Sequence, residues 1–178
     1  MPNWCENELE IEGPKELVSE VKKSHLIKDG EDKLDFEDFV HYPDKFTDMD
    51  KIAQEQDKKR KEVIAKGMSH KDASEKYPYI TDGFNQGGHG WKCDNWGTKW
   101  NATDVSISFE DEDNIHIDFN TAWSPPIPVI DAMAKKYPEL TLTLRFFECG
   151  AAFNGYYRWE KGKRVEEKEG DYFGNRGG

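Results

Sequence analysis

Glu6, Glu8 and Glu10 fall at every second position of one stretch, and His116 and Asp118 are likewise two apart. Period-two spacing puts such side chains on one face of a strand. A carboxylate–histidine metal site is one reading of that face. The plainer reading is a polar surface turned to solvent, because Asp and Glu are seldom buried unless paired. Cys5, Cys93 and Cys149 show no CxxC and no short Cys/His spacing, the usual sign of a zinc site. No metal or other cofactor is expected. A thiol nucleophile with His89 or His116 has no motif behind it, so inert thiols are the better reading.

A second group is aromatic. His89, Trp91, Asn95, Trp96, Trp100 and Asn101 crowd one Gly-rich stretch, and Trp123 comes later in the chain. Indole walls with a few placed amides suit a sugar, a base or a peptide. The plainer alternative is packing, since a long loop must build its own core. A third candidate is Gly67 to Ala73, set between two helical segments like a helix-turn-helix. Its second helix stops at Tyr77-Pro78 and carries Asp72 and Glu75, where a DNA-reading helix favours Arg, Asn or Gln.

These residues need elements to position them. Cys5, Leu9 and Ile11 alternate with Glu6, Glu8, Glu10 and Glu12, which predicts a half-buried strand. Gly13-Pro14 opens a helix with proline at its first position, Leu17, Val18 and Val21 forming its inner stripe as far as His25. Val105, Ile107 and Phe109, then Ile115, Ile117 and Phe119, predict an antiparallel hairpin. Ser124 to Pro128 opens a second helix with Ile130, Met133, Ala134 and Tyr137 inward. Leu140, Leu142, Leu144 and Phe146 mark a further strand, and residues 152–160 another beside it. This order predicts an α+β, ferredoxin-like βαββαβ antiparallel sheet.

The remainder is a long helical and Trp/Gly-rich insertion, residues 26–100, between the first helix and the second strand. Met49, Ile52, Ala53, Gln56, Val63 and Ile64 predict an amphipathic helix over 48–66, ended by Gly67. Ser69 and Asp72 cap a shorter one. Residues 1–160 read as a single domain and 161–178 as a charged, Gly-containing flexible tail. In the sheet, Thr141, Thr143 and Arg145 should flank the glutamates on the side away from His116.

The net charge of −11 argues against a broad phosphate-binding surface, which needs clustered Lys and Arg. No direct nucleic-acid binding is expected. No apolar run reaches the roughly 20 residues of a membrane helix, and no signal peptide precedes Met1-Pro2-Asn3-Trp4. Three unpatterned cysteines suit a reducing compartment. A cytoplasmic location without membrane attachment is expected.

Three motifs stand in order: Met1-Pro2-Asn3-Trp4-Cys5-Glu6-Asn7, Asn95-Trp96-Gly97-Thr98-Lys99-Trp100-Asn101, and Thr121-Ala122-Trp123-Ser124-Pro125-Pro126. Together they resemble the YubB-like family of ferredoxin-like proteins encoded by bacteriophages and conjugative plasmids. The resemblance runs from residue 1 to about 160, leaving the helical stretch 44–77 and the tail without a matching motif. It implies a bacterial or phage protein and the same fold, and brings no activity with it. Two functions are expected to compete. One is a non-catalytic protein-binding module of a mobile element, in its sharper form an acidic, DNA-mimicking inhibitor of a host nuclease or defence protein. The other is a small-ligand enzyme using the Trp-rich insertion, with His89, Asp94 or His116 as acid–base groups.

Overall fold

A computed structural model of the chain describes residues 3–171. Strand β1 (Trp4–Glu12) forms on the alternation of Cys5, Asn7, Leu9 and Ile11, all buried, with glutamates. Each buried Leu or Ile contributes about 1.5–3 kcal/mol. Gly13-Pro14 then turns the chain into α1 (Lys15–Val21), with Pro14 as its N-cap rather than its first helical residue. Val18 and Val21 point into the core, and one wide turn (Lys22–Leu26) closes the helix.

A short ribbon comes after it, β2 (Ile27–Lys28) with β3 (Glu31–Asp32). Three helices come next: α2 (Asp44–Ala65), α3 (His70–Lys76) and α4 (His89–Trp96). The rest of the sheet comprises β4 (Thr103–Glu110), β5 (Asn114–Ala122), β6 (Thr141–Glu148), β7 (Phe153–Glu160) and β8 (Lys163–Asp171). Helix α5 (Ile127–Lys136) lies between β5 and β6, with Val129, Ile130, Met133 and Ala134 buried.

The strand order is β4-β5-β1-β6-β7-β8, antiparallel throughout. The first four strands reproduce the split order expected of two βαβ units. Across the inner face Leu9 pairs with Ile117 and Leu144, and Ile11 with Ile115 and Leu142. All six are at most 1% exposed. Ile107 aligns with Ile117 at the margin of this interior.

Several expectations need correction. Phe109 does not continue the inward row of Val105 and Ile107. A bulge between Ile107 and Phe109 shifts the register, so Phe109 pairs with His116 on the outer face, 48% exposed, with ring centroids 5.1 Å apart. The added residue of a bulge turns the subsequent side chains to the other face.

The expected flexible tail is also partly wrong. Lys163–Asp171 is a paired strand, while 172–178 lie outside the described residues. Lys161 and Gly162 both have positive φ, +52° and +72°, between the paired Glu160 and Lys163. Two positive φ values make the tight hairpin turn whose twist matches its strands. Opposite charges then face each other, Arg158 against Glu166 and Glu160 against Lys163, and such pairs stabilise a ladder.

By internal contacts the described chain divides into two compact units, residues 42–91 and the sheet unit formed by the remainder. Residues 26–41 and 92–100 thus belong with the sheet rather than with an elaboration hung from it. Within 42–91, α2 begins earlier than expected and its buried residues are Phe46 and Arg60, while Ile52 is 53% exposed. Arg60 lies over the Tyr79 ring at 3.6 Å, donates to the Tyr77 carbonyl and pairs with Asp57. Ser69 caps α3 as expected, accepting from the Asp72 N–H at 3.1 Å. The expected Gly-rich loop is largely ordered, as a turn at Phe84–Gly88 running into α4.

The border strand β4 is partly covered. The Asp32 carboxylate accepts the Ile107 N–H at 2.9 Å. No helix among the described residues is long and apolar enough to cross a membrane.

Candidate functional site

At the end of the sheet where β1 starts and β5 finishes, Trp4, Trp100 and Trp123 are 36%, 39% and 46% exposed. Trp4 and Trp100 lie 6.1 Å apart between ring centroids. The Lys99 ammonium sits 4.2 Å from the Trp100 ring and 3.7 Å from the Trp123 ring. Indole is the best side-chain partner for a cation held over its face. No carboxylate among the described residues forms an ion pair with Lys99.

Beneath this platform the fold is polar and buried. Asn7, Thr98 and Thr121 are each at most 1% exposed. The Asn7 amide donates to the Cys5 carbonyl and to Thr121 Oγ1, both at 2.9 Å. Thr121 Oγ1 donates to the Ser124 carbonyl at 2.8 Å, Thr98 Oγ1 to the Ala122 carbonyl at 2.8 Å, and Ser124 Oγ to the Gly97 carbonyl. Gly97 has φ +79°, and a Cβ there would lie 2.9 Å from both the Pro125 oxygen and Pro128 Cδ.

Held in this frame, Trp123 adopts φ +75°, its N–H donating to the Asn3 carbonyl at 3.0 Å. A bulky residue in the left-handed region is an outlier, and such strain persists only where the surroundings enforce it. The buried network enforces it, and its visible result is an indole turned toward Lys99.

The three motifs of the sequence thus meet at one place. Residues 95–175 match the family model of the ferredoxin-like domain in Api92-like protein. That span contains Lys99, Trp100 and Trp123, and leaves Trp4 outside. The Escherichia coli (strain K12) protein described as "Uncharacterized protein YubB" is 29% identical over 93 residues, covering 48% of this chain and 64% of that protein. The match therefore spans under two thirds of YubB. The crystal structure of api92 from Yersinia pseudotuberculosis superposes with a TM-score of 0.56 at 12% identity, over 98% of this chain and 99% of that one. At that identity the likeness concerns the fold.

The other expected site residues are divided. Trp96 is 2% exposed, packs edge-on to Phe36 and donates from its indole N–H to the Val40 carbonyl at 2.7 Å. Asn101 accepts the Phe36 N–H at 3.0 Å and donates to Asp35 at 2.7 Å. Both work inside the fold. Burial opposes the Asp35 charge, but Lys33, Asn101 and the Glu37 N–H together hold its carboxyl below the usual value. Asn95 is half-buried in α4. His89 and Trp91 fall in the 42–91 unit, His89 against Phe84 at 5.2 Å and Trp91 against Tyr42 at 5.6 Å.

On the outer sheet face, Glu10 is the hub. It faces His116 at 3.4 Å and Arg145 at 3.5 Å. Glu8 pairs in register with Asp118 on one side and Arg145 on the other, and Glu6 with Asn120 and Phe147. Among the described residues no three His, Cys, Asp or Glu side chains are grouped to hold a metal ion.

The thiols stay apart. Burial pushes the Cys5 thiol up to about 12, Cys93 is raised by partial burial and Asp94, and Cys149 is exposed. Cys5 sits level with the buried Glu148, not with Cys149, because Glu6 pairs with Phe147.

Two features are not expected from the sequence. Lys99 stands between Trp96 and Trp100 in the chain, and the Trp-Gly-Thr-Lys-Trp spacing is the signal that could have marked it. The other is His25, bonded to Asp38 at 2.9 Å and to the Tyr137 hydroxyl at 3.0 Å. Nothing in the sequence marks residues 25, 38 and 137 as neighbours.

Proposed function

We propose that this chain is a non-catalytic protein-binding module of the YubB/Api92-like group, an accessory protein of a mobile genetic element. Its docking surface is the Trp4–Lys99–Trp100–Trp123 platform. The observation that carries this reading is the strained Trp123 backbone, held by a buried hydrogen-bond network so that Lys99 lies over the exposed Trp123 and Trp100 rings, with Trp4 packed beside Trp100. Trp is among the residues most enriched at energetic centres of protein interfaces. A lysine over two indoles that pairs with no carboxylate among the described residues favours a partner segment that presents an acidic side chain beside apolar ones.

Mimicry of DNA is less well served. Arg145 and Arg158 lie in the rows beside the β1 glutamates, Thr143 pairing with both Glu10 and Arg158. The outer face therefore lacks the continuous anionic strip that a mimic requires.

The test uses the full chain and two variants as bait for host proteins at low and high salt. A protein retained by the wild type and lost from both Lys99→Glu and Trp100→Ala supports the proposal. Equal retention by all three baits, or retention of nothing, overturns it. Trp123→Gly separates function from stability. It relieves a backbone cost of roughly 1 kcal/mol, so Tm should hold within a few degrees while retention falls at least about tenfold, a loss of about 1.4 kcal/mol.

A further inference from the structure

The outer face is not acidic throughout. Cross-strand register makes one row of Arg145, Tyr156 and Lys168, and beside it a second row of Phe147, Asn154 and Gly170. These six residues on β6, β7 and β8 border a cavity of about 700 Å³, within the roughly 300–1,000 Å³ of small-molecule sites. Gly170 opens it by presenting no side chain. Two rings line the floor, with a cation on either side of Tyr156. Lys168 Nζ is 5.1 Å from the Tyr156 ring centroid.

The acids nearby do not fill the cavity. Glu167 and Glu169 also border it, but Glu167 receives a hydrogen bond from Arg164 and Glu169 one from Tyr157. Tyr157 belongs to the inner, buried row with Leu144, so both carboxylates face away. Glu166 lies 3.0 Å from Lys168, and Glu10 lies 3.5 Å from Arg145. The two cations are nonetheless 66% and 47% exposed. Exposed pairs of this kind contribute little and yield to a better partner.

We propose that this cavity binds a nucleotide, the base stacking on Tyr156 and Phe147 and the phosphate lying between Arg145 and Lys168. Aromatic rings flanked by cations on an open sheet are the arrangement that grips an unpaired base and its phosphate. The overall charge of −11 disfavours a long polyanion but not one phosphate, because Arg145 and Lys168 meet it directly from two strands, although Glu8 and Glu6 of β1 pair in register with Arg145 and Phe147.

Two sources supply this chemistry, a free mononucleotide and a single-stranded nucleic acid. Titration of the full chain with AMP, adenosine and a ten-nucleotide oligo(dA) tests the assignment. AMP should bind with Kd below about 1 mM, and adenosine at least about tenfold more weakly. Arg145→Gln with Lys168→Gln should reduce AMP to the adenosine level. Gly170→Val should fill the cavity and weaken AMP at least about tenfold, one further 1.4 kcal/mol step. Among the described residues a Cβ at Gly170 meets only Asn154 Oδ1, at 3.4 Å, so the fold should survive. Oligo(dA) binding more tightly than AMP, with a marked salt slope, names single strands as the source, and equal or weaker binding names the free nucleotide. No binding of either probe at about 10 mM, equal affinity for AMP and adenosine, or an unaffected Gly170→Val variant overturns the proposal.

Discussion

Asn101 shows how a single side chain can look like a ligand contact and be a joint in the fold. In the sequence it sits among tryptophans. In the structure its amide bridges the Phe36 N–H and the Asp35 carboxylate. Replacing it with alanine leaves that N–H and part of that carboxylate unanswered, at a cost of about 1–3 kcal/mol. Urea unfolding of Asn101→Ala should register that loss, with partner retention by the platform unchanged. The cysteines make a second case at this scale. Cys5 is 0% exposed with its thiol pushed up to about 12, whereas Cys149 is exposed. The thiolate is the reactive form. A thiol reagent at pH 8 should therefore label Cys149 rapidly and Cys5 only on unfolding. Equal labelling of both in the native protein would contradict the burial. Sequence could name these residue types. It could not distinguish Trp96 from Trp100, because both lie in one motif and only the packing decides which is covered.

Strands whose inner residues alternate were readable from the sequence. Leu9, Ile117, Leu142 and Leu144 announced their common interior because period two survives wherever one face is buried. β8 was hidden for the opposite reason. Lys163–Asp171 has no apolar stripe, with Val165 56% exposed, and its order comes from the turn at Lys161-Gly162 and from partners on β7. One of those partnerships ties the two strands and responds to pH. Tyr157 donates to Glu169, and burial first, then that carboxylate, raises the phenol to about 12. A phenol raised in the fold favours the native state while protonated. The contribution is complete below the unfolded value near 10 and disappears as pH climbs from about 10 to about 12. Stability should fall over that window, and Tyr157→Phe should flatten the fall. An unchanged alkaline profile in Tyr157→Phe would remove this coupling.

The molecule divides where the sequence did not place a boundary. Composition suggested an elaboration over 26–100, but residues 92–100 carry Trp96, whose indole N–H reaches Val40, and Asn101 reaches back to Phe36. These returns of the chain to the sheet are long-range contacts, which local pattern does not record. The compact unit is 42–91. Replacing Tyr42 to Trp91 with a short Gly/Ser linker should leave a protein with strand-type circular dichroism, a cooperative melt and an intact indole platform. A molten product without a cooperative transition would show that the sheet unit depends on that segment for its order.

The Asp32 cap on Ile107 also determines how copies of the chain can meet. A sheet grows by backbone pairing at its margins, and an outlying strand with unanswered N–H groups is where a stranger chain begins to add. At β4 a carboxylate already occupies one of those donors, while β8 presents charged side chains along its length. Both borders thus resist recruitment into a larger sheet, one by occupation and the other by charge, and the protein can display three indoles at one end without offering its neighbours a strand to copy.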